Sequence, residues 1–60
     1  MKFGNMLDFL PAGKHFRRPE WAPGKFISLE KGRITLVDGD VDEDLVPTQE
    51  EMVAGDYEVC

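Results

Sequence analysis

Apolar residues near the start of the chain recur at Phe3, Met6, Leu7 and Leu10, the i, i+3, i+4, i+7 spacing that gives a helix one apolar face. A short helix over residues 3–10 is predicted. Pro11 lacks the N–H that a continuing helix needs and Gly13 takes a left-handed backbone readily, so residues 11–13 read as a stop and a turn. His15 to Arg18 reads as a brief strand with Phe16 inward, closed by Pro19. Between Pro19 and Lys25, two prolines and a glycine surround the single tryptophan, Trp21. Such a loop is stiff, and it either presents the large ring or tucks it in.

From Phe26 the period changes to two. Ile27 and Leu29 share one face and, across a Lys31-Gly32 turn, Ile34 and Leu36 form the matching pair of a hairpin. Asp38-Gly39 is read as a type I′ turn, in which both central residues need a positive φ. It leads into a third, acidic strand around Asp40 to Asp42. Thr48-Gln49-Glu50-Glu51, after Pro47, has the form of a capping box, with the Thr hydroxyl and a Glu carboxylate satisfying free N–H groups at a helix start. That helix should run to about Ala54, with Glu50 and Glu51 suiting the positive end of its dipole and Gly55 as its C-terminal cap. Tyr57 and Val59 alternate as a final short strand. The predicted fold class is α+β: a small antiparallel sheet, made of a three-stranded meander plus short terminal strands, packed with two short helices in one domain spanning residues 1–60.

Length restricts what such a fold can bury. A chain of 60 residues buries only about 60% of its unfolded surface and is marginal unless a disulfide, a metal or self-association assists it. Cys60 is the sole cysteine, which excludes an intrachain disulfide and points to a reducing compartment. His15 is the sole histidine, too few nitrogen and sulfur ligands for a zinc site. Self-association is the remaining route, with a dimer as its minimal form. No apolar stretch approaches the roughly 20 residues that span a bilayer or the apolar core of a signal peptide, so a cytosolic protein is expected.

Charge is divided by position. Residues 1–34 hold all seven Lys and Arg against three acids, a balance of +4; residues 35–60 hold nine acids and no base, and the two sum to the net −5. Arg17, Arg18 and Trp21 fall within five residues in the basic half. Seven bases without a regular stripe, joined to an acidic half, do not suit a long nucleic acid. A small anion needs only one pocket: Arg18 could hold a phosphate in bidentate fashion while Trp21 stacks on a base. The competing reading makes Trp21 a core or interface ring and leaves the arginines solvated. Catalytic inventory is thin, with one Ser, one His and one Cys in no triad-like arrangement, so no enzyme is expected. Asp38, Asp40, Asp42 and Asp44 alternate as in a calcium loop, but the Gly and Glu that an EF-hand needs are not in place, and no metal is expected.

The opening Phe3-Gly4, Met6-Leu7, Leu10, Gly13-Lys14, Phe16-Arg17-Arg18 and Trp21 resemble the start of the Thoeris anti-defence 2 family of small phage proteins. The stretch from Val46-Pro47-Thr48 through Glu50-Glu51-Met52-Val53-Ala54 to Asp56-Tyr57 is similar to that family's closing pattern. Pro19-Glu20 stands before Trp21 where the family usually has Gly, Tyr57 replaces a Trp, and the middle of the chain is shorter than in typical members. The resemblance implies a protein that sequesters a cyclic ADP-ribose-type immune signal without turnover or cofactor, in the host bacterial cytoplasm. It also implies a homo-oligomer, dimer or tetramer, with pockets between protomers. Trp21 would stack on a base, Arg17, Arg18 and Lys25 would meet the pyrophosphate, and Asp56 and Tyr57 would add ribose or ring contacts from the closing strand of a neighbouring protomer. Trp21, Arg18, Asp56 and Tyr57 stand on matching family positions, whereas Arg17 and Lys25 are inferred from charge. The alternative class is an acidic interaction module or decoy that inhibits a host protein; a virion or assembly component is a third.

Overall fold

Five strands form one antiparallel sheet in the computed structural model, which describes residues 1–60: β1 (Phe16–Arg17), β2 (Lys25–Glu30), β3 (Arg33–Asp38), β4 (Val41–Asp44) and β5 (Glu58–Val59). Their spatial order is β4-β3-β2-β1-β5. With two short helices, α1 (Phe3–Phe9) and α2 (Gln49–Val53), this is the α+β fold that the patterning predicts. Ile27 lies opposite Leu36 and Leu29 opposite Ile34, so the two apolar pairs share a face of the β2–β3 hairpin. Met6 and Leu10 from the helical side and Phe16 from the short strands form the core with Ile27 and Tyr57, all almost completely buried, while Ile34 at the far end of the hairpin is exposed. Five buried apolar residues make a small core, and Phe3, Leu7, Trp21, Leu29, Leu36, Leu45 and Ala54 pack around it half-exposed.

Several boundaries differ from the sequence expectation, each for a local reason. The first helix gives way at Leu10 to a 3-10 turn over Leu10–Ala12. Pro11 sits in the first positions of that turn, where its missing N–H has no partner to lose. Gly13 then closes it with φ 83° and donates its N–H to the Leu10 carbonyl. The capping box forms as read: the Glu51 N–H donates to Thr48 Oγ1 at 3.1 Å, and the Thr48 N–H to Glu51 Oε1 at 2.8 Å. Gly55 is not a left-handed cap. The chain leaves α2 through Ala54 in an extended conformation (φ −64°, ψ 141°), and the Gly55 carbonyl accepts a 3.1 Å hydrogen bond from the Met1 ammonium.

The type I′ geometry falls at the first hairpin turn, not the second. Lys31 and Gly32 both have positive φ (52° and 76°), the pattern of a type I′ turn. At the second turn Asp38 pairs with Val41, so the central residues are Gly39-Asp40, one step later than read from the sequence. Only Gly39 has positive φ there (63°), as in a type II′ turn. The third strand accordingly begins at Val41 and reaches Asp44. In the last segment Tyr57 drops into the core just before β5, while Val59 stays exposed.

Candidate functional site

Two consecutive β-turns build the loop that carries Trp21. In the first, the Trp21 N–H donates to the Arg18 carbonyl at 3.0 Å, with Pro19 at the second position. In the second, the Lys25 N–H donates to the Ala22 carbonyl at 3.2 Å, with Pro23 second and Gly24 third at φ 89°. Pro followed by a positive-φ Gly is the type II signature. Arg17 fastens the loop from beneath. Its Nη2 donates to the Trp21 carbonyl at 2.6 Å and to the Pro19 carbonyl at 3.5 Å, and its Nε to the Arg18 carbonyl at 3.4 Å.

The indole so placed is half-buried. Its neighbour on the core side is Tyr57, edge to face at 6.3 Å and 84°. Lys25 reaches across the ring with Nζ 5.0 Å from the centroid, a cation–π contact. Tyr57 in turn packs on Phe3 at 5.6 Å, and its hydroxyl donates to the Glu51 carbonyl at 2.8 Å. Burial pushes the Tyr57 phenol above its ordinary value, and the Glu51 charge adds to the shift.

Arg18, next to this cluster, is the one buried cation. Its Nε donates to Asp56 Oδ1 at 2.8 Å, and Nη2 lies 3.5 Å from Oδ2. Glu20 Oε1 is 2.7 Å from the same Nη2, and Glu50 Oε1 is 4.0 Å from Nη1. The hydrogen bond from Arg18 holds the Asp56 carboxyl below the usual carboxylate range, reinforced by the Arg18 charge and by the Met1 ammonium. The same bond raises the Arg18 guanidinium. That ammonium is itself anchored, donating to Tyr57 O at 2.9 Å and Gly55 O at 3.1 Å.

The structure therefore gathers Arg18, Trp21, Lys25, Asp56 and Tyr57 at one place, with Arg17 as the fastening beneath; Asp56 and Tyr57 meet Arg18 and Trp21 of their own chain and not of a neighbour, because the last segment folds back beside β1. Neither arginine is solvated: Arg17 is engaged by backbone carbonyls and Arg18 by carboxylates. Every buried side-chain polar atom has a partner. Glu20 and Glu50 join the cluster without having been singled out from the sequence. Glu50 had only the signal of a helix dipole, and Glu20 only its position beside Trp21. The other reactive residues lie apart from one another, with His15 stacked on Phe26 at 4.7 Å and Ser28 Oγ donating to Glu30 Oε1 at 3.0 Å. In β4, Asp42 and Asp44 face one side of the sheet and Glu43 the other, all exposed.

The chain encloses no pocket of ligand size. No helix is long and apolar enough to cross a membrane. Fold and site together define a small α+β protein with an aromatic–cation cluster on one surface loop. No protein-family model matches the chain, and no curated protein matches it.

Proposed function

We propose that the chain is a binding protein that sequesters a small anionic nucleotide, of the cyclic ADP-ribose type, without turning it over. The observation that carries this reading is the Trp21–Lys25 pair: a half-exposed indole with a cation 5.0 Å from its centroid, on a loop fixed by two proline turns and the Arg17 clamp. A nucleotide needs an aromatic face for its base and a nearby cation for its phosphates, and a rigid loop lowers the entropy of binding them. Arg18 supplies the second cation, with Asp56 orienting it. The resemblance to the Thoeris anti-defence 2 family supports the same reading from Trp21, Arg18, Asp56 and Tyr57.

Small-molecule sites bury most of their ligand, and one protomer is open on the indole side. We place the missing wall on a second copy of the chain, so that the homo-oligomer and the binding site are one requirement. Sequestration then works by mass action: the protein exceeds its ligand in amount and holds it more tightly than the receptor does. Calorimetric titration with cyclic ADP-ribose isomers tests the proposal, followed by recovery of the ligand after heat denaturation. Saturable heat and an intact ligand are expected; a cleaved product indicates an enzyme, and no heat with any isomer or with cyclic dinucleotides rejects the reading.

A second reading rests on β4. It is one of the two outer strands of the sheet, all four of its residues are exposed, and three of them are acids. An unpaired acidic edge is suited to occupying a basic surface of a host protein, as a decoy does.

A further inference from the structure

We propose that Glu20 is an internal competitor for the anionic ligand, a carboxylate paired with the Arg18 guanidinium beside the edge that a phosphate group takes. The inference rests on the ligand-binding reading above and specifies how that site is gated. A guanidinium is planar and offers two edges to a bidentate anion, Nε with one Nη and the pair of Nη groups. Asp56 takes the first edge, at 2.8 and 3.5 Å. The second carries no carboxylate hydrogen bond: Glu20 makes an ion pair 2.7 Å from Nη2, and Glu50 stands 4.0 Å from Nη1. The bidentate position on this edge is thus unused, with two separate carboxylates beside it.

Charge and exposure point the same way. One carboxylate is enough to neutralise Arg18, yet three surround it, so the second edge is flanked by surplus negative charge that repels itself and Asp56. The Arg18 side chain is only 10% exposed, while those of Glu20 and Glu50 are 59% and 79% exposed. Glu20 can therefore move into water at little cost, whereas Arg18 cannot follow it. The loop survives that movement, because the Arg18–Trp21 turn is closed by its backbone hydrogen bond and by Arg17, not by the Glu20 side chain. Binding becomes an exchange of one anion for another, in which the buried guanidinium is never left unpaired.

The test titrates inorganic pyrophosphate and, separately, a cyclic ADP-ribose isomer into the wild type, Glu20→Gln and Glu43→Gln at low salt. Glu43 lies on β4 and is no partner of Arg18, so its variant matches the charge change without opening the edge. Glu20→Gln is expected to raise affinity for both probes about three- to fivefold, the scale of one exposed ion pair. Glu43→Gln is expected to leave both affinities unchanged. Wild-type binding that Glu20→Gln does not improve, or that Glu43→Gln improves equally, overturns the competitor and leaves the binding reading standing. No binding of either probe by any of the three proteins overturns both.

Discussion

Arg18 and Asp56 are 38 residues apart in the chain and 2.8 Å apart in the fold, Nε to Oδ1. The pair joins the end of β1 to the segment that leads into β5, and it fixes the cation beside which Trp21, Lys25 and Tyr57 assemble. Since the hydrogen bond from Arg18 lowers the folded-state carboxyl of Asp56, the unfolded chain binds the Asp56 proton first as pH falls. Stability from this group is complete above the ordinary carboxylate value of about 4 and is lost as pH falls from there through the depressed folded value. Thermal midpoints of wild type and Asp56→Asn, measured from pH 7 to pH 2, should converge at the acid end. A constant gap down to pH 2 would show that the ion pair does not titrate.

Tyr57 gives the opposite limb. Its phenol is raised by burial, so stability is complete below the ordinary value near 10 and falls as pH rises through the higher folded value. Tyr57→Phe keeps the ring but removes the 2.8 Å bond to the Glu51 carbonyl. The variant should lose about 1 kcal/mol at neutral pH, and its stability should fall less steeply than wild type above pH 10. Denaturant titration at pH 7 and pH 11 measures both effects.

How much of this was readable beforehand depended on range. The helix face at Phe3, Met6, Leu7 and Leu10, the Ile27–Leu36 and Leu29–Ile34 pairs, and the Thr48–Glu51 box all involve near neighbours or one hairpin, where periodicity and capping chemistry act directly. The second turn is centred one residue later than the Asp38-Gly39 dipeptide suggests, because its centre is set by the cross-strand pairing of Asp38 with Val41, which a dipeptide signal does not contain. The site was legible in part. Two prolines and a glycine announced a stiff loop around Trp21, but not what holds Arg18: Asp56 and Glu50 are distant in sequence, and the Met1 ammonium meets Gly55 and Tyr57 only once both ends fold together. Charge alone groups Arg17 with the phosphate-binding cations. Its side chain instead turns back onto the Pro19, Arg18 and Trp21 carbonyls, which only the loop geometry reveals.

The capping box offers a clean test of the second helix. Thr48→Ala removes the acceptor for the Glu51 N–H at 3.1 Å and should cost about 1 kcal/mol. Because α2 carries the carbonyl that receives the Tyr57 hydroxyl, amide exchange at Tyr57 should quicken along with that of α2. Exchange that quickens in α2 alone would separate the helix from the site.

Lys31 is the only non-glycine residue with positive φ, at 52°. Asn adopts that conformation more easily, and Asn-Gly is the preferred type I′ pair. Lys31→Asn should therefore stabilise the chain by about 0.5 kcal/mol, seen as a higher denaturant midpoint with an unchanged slope.

The most direct measurement of the central claim is calorimetric titration of a cyclic ADP-ribose isomer into three proteins: wild type, Trp21→Ala, and a variant with Asp40, Asp42, Glu43 and Asp44 all neutralised. If the Trp21–Lys25 surface is the ligand face, the wild type and the neutralised variant bind alike, and Trp21→Ala weakens binding by about 1 to 3 kcal/mol, the worth of one base–aromatic stack. Binding that survives Trp21→Ala and disappears on neutralising the acidic strand would contradict the account.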